Sequence, residues 1–181
     1  MYYQDSWLKG RRIAKGYREC ASRYEVVKEF CSSFDGPFSV LDVGANMCYF
    51  GLRLTEDFPD CRVLAFEFDH FDVRSAHVKR NKQNRLALFN HKLTIYSLET
   101  LVLCAHFDLI LAMSVLHHVG GQIEDWVFQL KALSDNVIVE LAGSDSPRAQ
   151  KQINKDIKIR ELGFGSSHLL SGFARPIGVL V

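Results

Sequence analysis

The chain has 181 residues, 48% hydrophobic, 12% aromatic and 24% charged, which excludes disorder and fibrous repeats and leaves room for one domain with a sizeable core. A formal net charge of +1 excludes a global field that would hold nucleic acid or an anionic membrane surface non-specifically. No apolar run approaches the roughly 20 residues a bilayer demands, and the first residues lack the apolar core of a secretory signal, so a cytoplasmic protein with no membrane contact is expected.

In the first segment Ile13, Tyr17, Cys20, Tyr24, Val27 and Cys31 recur at three- and four-residue steps, which predicts one helix face and an N-terminal helical segment over 1–34. Lys9, Arg11, Arg12, Lys15, Arg18 and Arg23 make this segment basic. They form either a solvated face balanced by acids, or arginines that lean over an active site and pair with a phosphate or carboxylate. Phe34-Asp35-Gly36-Pro37 stops the helix, and 38–44 reads as a buried strand ending in Gly44.

A helix through Phe50 and Leu54 is broken by Pro59-Asp60, and a second strand over 61–68 ends in an acid, Glu67. A polar helix from about His70 to Asn84 leads to a short third strand, 86–89. The run 107–113 is the strongest strand, of the continuous apolar kind found where both faces of a parallel sheet are covered. Gly120-Gly121 opens a loop; Ile123, Trp126, Val127, Leu130 and Leu133 mark a helix, and 136–141 a fifth strand. A charged helix from about Gln150 to Glu161 and two strands, roughly 163–168 and 176–181, complete the chain. Strands alternating with helices predict an α/β fold with a mostly parallel sheet in a single domain over 1–181.

Five cysteines, odd in number and widely spaced, lack metal-ligand spacing and are expected as reduced, mostly buried thiols; no metal is predicted. In an open parallel sheet, ligands bind beyond the carboxyl ends of the strands. The first such end reads Asp42-Val43-Gly44-Ala45-Asn46, small residues before a helix that offers free N–H groups. It lacks the Gly-x-Gly-x-x-Gly spacing of a dinucleotide loop, since Asn46 and Cys48 take the later small positions.

That loop, the strand ending in Glu67, and Met113-Ser114-Val115-Leu116-His117-His118 after the fourth strand occur in an order that resembles the class I S-adenosylmethionine-dependent methyltransferases. The resemblance implies a seven-stranded sheet of order 3-2-1-4-5-7-6 with the last strand antiparallel, helices on both faces, and a chain close to the minimal catalytic domain. It places Asp42, Gly44, Ala45 and Asn46 around the methionine portion of the cofactor, and Glu67 against both ribose hydroxyls. A carboxylate has the paired acceptors a vicinal diol needs.

Phe68 is implied against the adenine, and Met113 and Ser114 complete the cofactor set. The third strand ends Phe89-Asn90-His91-Lys92 without the acid many relatives use for the adenine amino group, which leaves a backbone amide or a polar side chain in 94–97 to replace it. His117 and His118 fall where the family places the acceptor beside the reactive methyl, and one neutral imidazole there can take a proton. Glu140, His168 and Arg175 are the remaining strand-end candidates for the acceptor pocket.

The function implied is methyl transfer from S-adenosylmethionine, with release of S-adenosylhomocysteine, to an oxygen or nitrogen of a small acceptor, sugar- and phosphate-bearing molecules among them. Two alternatives stand beside it: a methyltransferase-like binding subunit serving a partner protein, and an RNA- or protein-modifying enzyme. The near-neutral charge and the lack of an Asn-Pro-Pro-Tyr type motif after the fourth strand disfavour nucleic acid.

Overall fold

Lys9 and Gly10 both take positive φ, 46° and 79°, the backbone of a two-residue hairpin loop, and they join β1 (Ser6–Leu8) to β2 (Arg11–Ala14). This corrects the expected helical segment over 1–34. The three- and four-residue spacing of Ile13 and Tyr17 is fortuitous; both are exposed, and the helix α1 spans only Ala21–Cys31, where Tyr24, Val27 and Cys31 are buried as the spacing predicts. The computed structural model describes residues 3–119, 122–141, 159–165 and 175–181, and the side chain of His117 is outside that description.

The hairpin lies on α2 (Tyr49–Asp57). Trp7 donates its indole N–H to Glu56 at 2.7 Å, and the Arg53 guanidinium sits 4.3 Å from the Trp7 ring centre and 4.1 Å from that of Tyr24. Cation–π contacts of this kind are worth about 0.5–2 kcal/mol each, and here they fasten the hairpin to the body. Gly16 closes the segment. A Cβ on it would lie 2.3 Å from the Gln4 carbonyl carbon, and its N–H is held by Asp5 Oδ1 at 2.8 Å.

Seven strands form the main sheet among the described residues: β3 (Phe38–Val43), β4 (Cys61–Glu67), β5 (Leu86–Asn90), β6 (Leu109–Met113), β7 (Val137–Glu140), β8 (Ile159–Gly165) and β9 (Arg175–Leu180). Their order is β5-β4-β3-β6-β7-β9-β8, with β9 antiparallel to both neighbours, which is the order 3-2-1-4-5-7-6 counted within the sheet. The continuous apolar runs serve two cores at once. In β6, Leu109, Leu111 and Met113 face the core that includes α1 and α2, while Ile110 and Ala112 face the one built with α4 (Ile95–Val102) and α5 (Ile123–Leu133). Each fully buried large aliphatic side chain contributes roughly 1.5–3 kcal/mol, so β6 anchors both faces.

Helix α3 (Phe71–Asn81) is shorter than expected. α4 was not foreseen; Thr94 and Ser97 form its capping box, each side chain accepting from the other's backbone N–H. The charged helix expected over 150–161 lies largely outside the described residues, but its last three positions, Ile159 to Glu161, belong to β8, which pairs with β9. Cys20, Cys31, Cys48 and Cys61 are buried and Cys104 is exposed, all as free thiols. Burial pushes the thiols of Cys20 up to about 11 and of Cys31 and Cys61 up to about 12, far from nucleophilic use near neutral pH. Among the described residues no helix is long and apolar enough to cross a membrane, and no three His, Cys, Asp or Glu side chains are grouped to hold a metal.

Candidate active site

The carboxyl ends of β3, β4 and β6 open into a cleft of about 980 Å³. That is near the upper end of small-molecule sites, and large enough for a cofactor with an acceptor beside it. At its floor β3 turns through Gly44 (φ +68°), whose N–H and that of Ala45 both donate to the Phe66 carbonyl at 3.0 Å. A Cβ on Gly44 would lie 2.9 Å from Val115 Cγ2, so the loop after β6 rests directly on this turn. Asn46 and Cys48 also take left-handed backbone, φ 51° and 56°, a region that favours glycine. Asparagine tolerates it; Cys48 is held there by burial at 0% exposure.

Glu67 terminates β4 with its carboxylate in the cleft wall. Oε2 accepts the Asn46 N–H at 2.9 Å, while Oε1 accepts the N–H groups of Phe68 and Asp69 at 2.8 and 2.9 Å and pairs with Arg74 Nη1 at 2.7 Å. Each carboxylate oxygen carries two lone pairs, so Oε2, which accepts from Asn46 alone among these donors, keeps acceptor capacity. Phe68 is half exposed and lines the cleft, with Lys92 Nζ 5.3 Å from its ring centre.

Asp42 lies behind the floor and does not line the cleft. It is 2% exposed and its Oδ2 has no hydrogen-bond partner. Burial first, then the nearby Glu67 charge, pushes its carboxyl up to about 7, with Arg23 acting in the opposite sense. Ala45 likewise serves the turn through its backbone and is not at the cleft surface.

Met113, Ser114 and His118 line the opposite wall with Val115, and His118 is exposed there. His117 shares with His118 the short 3₁₀ turn Leu116–His118. Ser114, at φ +57°, donates its hydroxyl to Glu140 and accepts from Arg175 Nη1 at 3.3 Å. Glu140 and Arg175 are therefore joined to the cleft through Ser114 but are themselves buried behind it. Arg18 and Arg23 pair with the two oxygens of Glu140, Arg18 with Oε1 and Arg23 with Oε2. His168 lies outside the described residues.

Several cleft residues escaped the sequence reading. Tyr3 and Gln4 form part of the rim, Arg74 supports Glu67, and Trp126 of α5 lines the wall. Arg74 sits one helical turn into α3, where a cation facing the preceding strand end is the available signal. In the 94–97 stretch Thr94 lines the cleft, its hydroxyl and that of Ser97 are engaged in capping α4, and Ser97 also meets His91 Nε2 at 2.9 Å.

Neither models of protein families nor curated protein sequences give a match to the chain. Solved structures do. The bifunctional kinase-methyltransferase WbdD superposes with a TM-score of 0.71 at 20% identity over 92% of this chain, which spans 40% of that protein. Magnesium protoporphyrin IX methyltransferase ChlM from Synechocystis PCC 6803, with bound S-adenosylmethionine, gives 0.60 at 15% identity over 88% of this chain and 78% of its own. N-methyltransferase NodS from Bradyrhizobium japonicum WM9, in complex with S-adenosylhomocysteine, gives 0.59 at 13% identity over 88% and 85%. The chain thus has the class I S-adenosylmethionine-dependent methyltransferase fold, and it spans about two fifths of the length of WbdD.

Proposed function

We propose that this chain is an S-adenosylmethionine-dependent methyltransferase, active as a single domain on an oxygen or nitrogen of a small acceptor, with sugar- and phosphate-bearing molecules as the leading classes. The observation that carries the reading is the meeting of Glu67 with the Gly44–Asn46 turn at the floor of a cleft sized for a nucleoside and a second molecule. ChlM and NodS, which share the fold, hold S-adenosylmethionine and S-adenosylhomocysteine respectively.

In this reading Glu67 accepts the ribose hydroxyls, Phe68 covers the adenine, and the turn from Gly44 to Asn46 admits the methionine portion, with Asp42 and Ala45 shaping it from below. Met113 and Ser114 form the wall nearest the methyl group. The bound cofactor supplies a methyl already activated by its sulfonium. An acceptor held in this cleft would present its lone pair to that methyl, and S-adenosylhomocysteine would be released. His118 stands in the wall to receive the proton an O–H or N–H acceptor loses, a role worth about 10²- to 10⁴-fold. His117, beside it in sequence, shares this proposed catalytic role, and His168 is proposed to contact the acceptor.

Thermal denaturation with S-adenosylmethionine and S-adenosylhomocysteine tests the reading. Either nucleoside at 100 times its dissociation constant adds about 2.7 kcal/mol. Absence of any shift at millimolar nucleoside overturns it.

A further inference from the structure

Arg18, Arg23, Glu140 and Arg175 form a buried cluster at the carboxyl end of β7 and the amino end of its antiparallel neighbour β9, assembled from residues far apart in the chain. One carboxylate serves two guanidinium groups directly, and Arg175 reaches the same group through Ser114. Arg18 is fully buried, yet its Nε and Nη1 have no hydrogen-bond partner, and neither has Nε of Arg23. A buried charged donor without a partner costs free energy that a structure retains only where something offsets it.

The cluster is closed on one side and borders the cleft on the other. On β8, a Cβ at Gly165 would lie 2.9 Å from Glu140 Oε1 and 3.0 Å from Arg23 Cγ, so backbone seals that side. Toward the cleft stand Ser114, itself in left-handed backbone, and Tyr3, whose carbonyl accepts the backbone N–H of Arg18 at 2.8 Å; both line the opening. Strained non-glycine backbone at such a point marks a position whose side-chain direction is enforced by its surroundings.

We infer that this wall is an oxyanion site for the acceptor: the molecule methylated carries a phosphate or carboxylate group that seats beside Ser114 and Tyr3 and takes up the donors of Arg18, with Arg23 and Arg175 behind it. The inference rests on the methyltransferase reading for the word acceptor, while the anion site itself does not. Glu140 has a distinct part. It holds the guanidinium groups together, and an arriving anion shares the charge with it. Guanidinium suits the task because its planar fork meets two oxyanion oxygens at once and keeps its charge at any working pH.

The test titrates inorganic phosphate, and separately acetate, into the full chain with and without saturating S-adenosylhomocysteine, read by calorimetry. Phosphate or acetate binding that falls at least tenfold in Arg18→Lys and in Arg175→Gln, with S-adenosylhomocysteine affinity unchanged, supports the site, and the tighter of the two anions names its class. Arg18→Lys keeps the charge opposite Glu140 and so guards against a folding defect; Arg175→Gln reports from a second element. Equal anion binding by parent and variants, or none by the parent, overturns the site. So does loss of S-adenosylhomocysteine affinity in the variants with 5′-methylthioadenosine affinity intact, since the arginines would then hold the cofactor's own carboxylate. Failure of the parent to bind S-adenosylhomocysteine while phosphate still binds through Arg18 sinks the methyltransferase reading and leaves the anion site standing.

Discussion

Glu67 Oε2 accepts the backbone N–H of Asn46 at 2.9 Å, so the acid at the end of β4 fixes the shape of the turn at the end of β3. Two functions meet in one carboxylate. It holds the turn, and it offers the remaining acceptor sites to a ligand.

Glu67→Gln separates them. The amide oxygen can still accept from Asn46, but a charge-assisted pair with Arg74 and a diol acceptor are lost, and hydrogen bonds to a charged group are worth about 1.5–3 kcal/mol. Binding of S-adenosylhomocysteine should weaken roughly 10- to 100-fold with a partial loss of stability, whereas Glu67→Ala should lose binding and destabilise the fold further. Calorimetric titration beside urea denaturation of both variants decides it; unchanged affinity in Glu67→Gln would remove Glu67 from the site.

Asp42 makes stability pH-dependent in an unusual sense. Its folded carboxyl is raised to about 7 from 3.8, so the neutral form is favoured in the core. That stabilising contribution is complete below pH 3.8 and is lost as pH rises toward 7, an effect of the order of 4 kcal/mol if the whole shift is expressed. Asp42→Asn cannot ionise. The stability difference, variant minus parent, should therefore move in favour of the variant between pH 4 and pH 8 in urea melts. A flat difference across that range contradicts the assignment.

Gly44→Ala meets two penalties, the left-handed backbone and the contact with Val115 Cγ2. Backbone strain alone costs about 1–2 kcal/mol. Adding Val115→Ala should recover the steric part and leave the backbone part, so the double variant should be more stable than Gly44→Ala by more than additivity allows. A thermal-melt cycle over the four proteins reads this directly.

Gly16→Ala drives a methyl into the Gln4 backbone and should cost at least 1–3 kcal/mol, the usual range for overpacking. Because Tyr3 and Gln4 belong to the cleft rim, the same change should speed proteolysis ahead of α1 and loosen nucleoside binding together. Faster cleavage with intact binding would detach the rim from the site.

The parts of this molecule that were legible in the sequence are those where burial dictates composition. A strand covered on both faces has to be apolar at every position, as in Leu109–Met113, and the residue that ends it at the ligand edge stands out as polar or glycine. The hairpin was hidden because its turn is Lys9-Gly10 rather than Asn-Gly, and because Ile13 and Tyr17 chance to continue the helical spacing of α1. α4 announces itself only through Thr94 and Ser97, a weak form of the capping box. The partnership of Arg18 with Glu140 spans 122 residues, and nothing local to either one encodes it; a basic N-terminal stretch divides instead into exposed Lys9 and Arg11 and fully buried Arg18 and Arg23.

The two tryptophans occupy separate compartments: Trp7 in the hairpin against Arg53 and Tyr49, and Trp126 in the wall of the cleft. The protein therefore contains its own pair of optical reporters. With Trp7→Phe, emission follows occupancy of the cleft alone; with Trp126→Phe, it follows attachment of the hairpin, and comparing their time courses tells whether the rim settles before or after a ligand arrives.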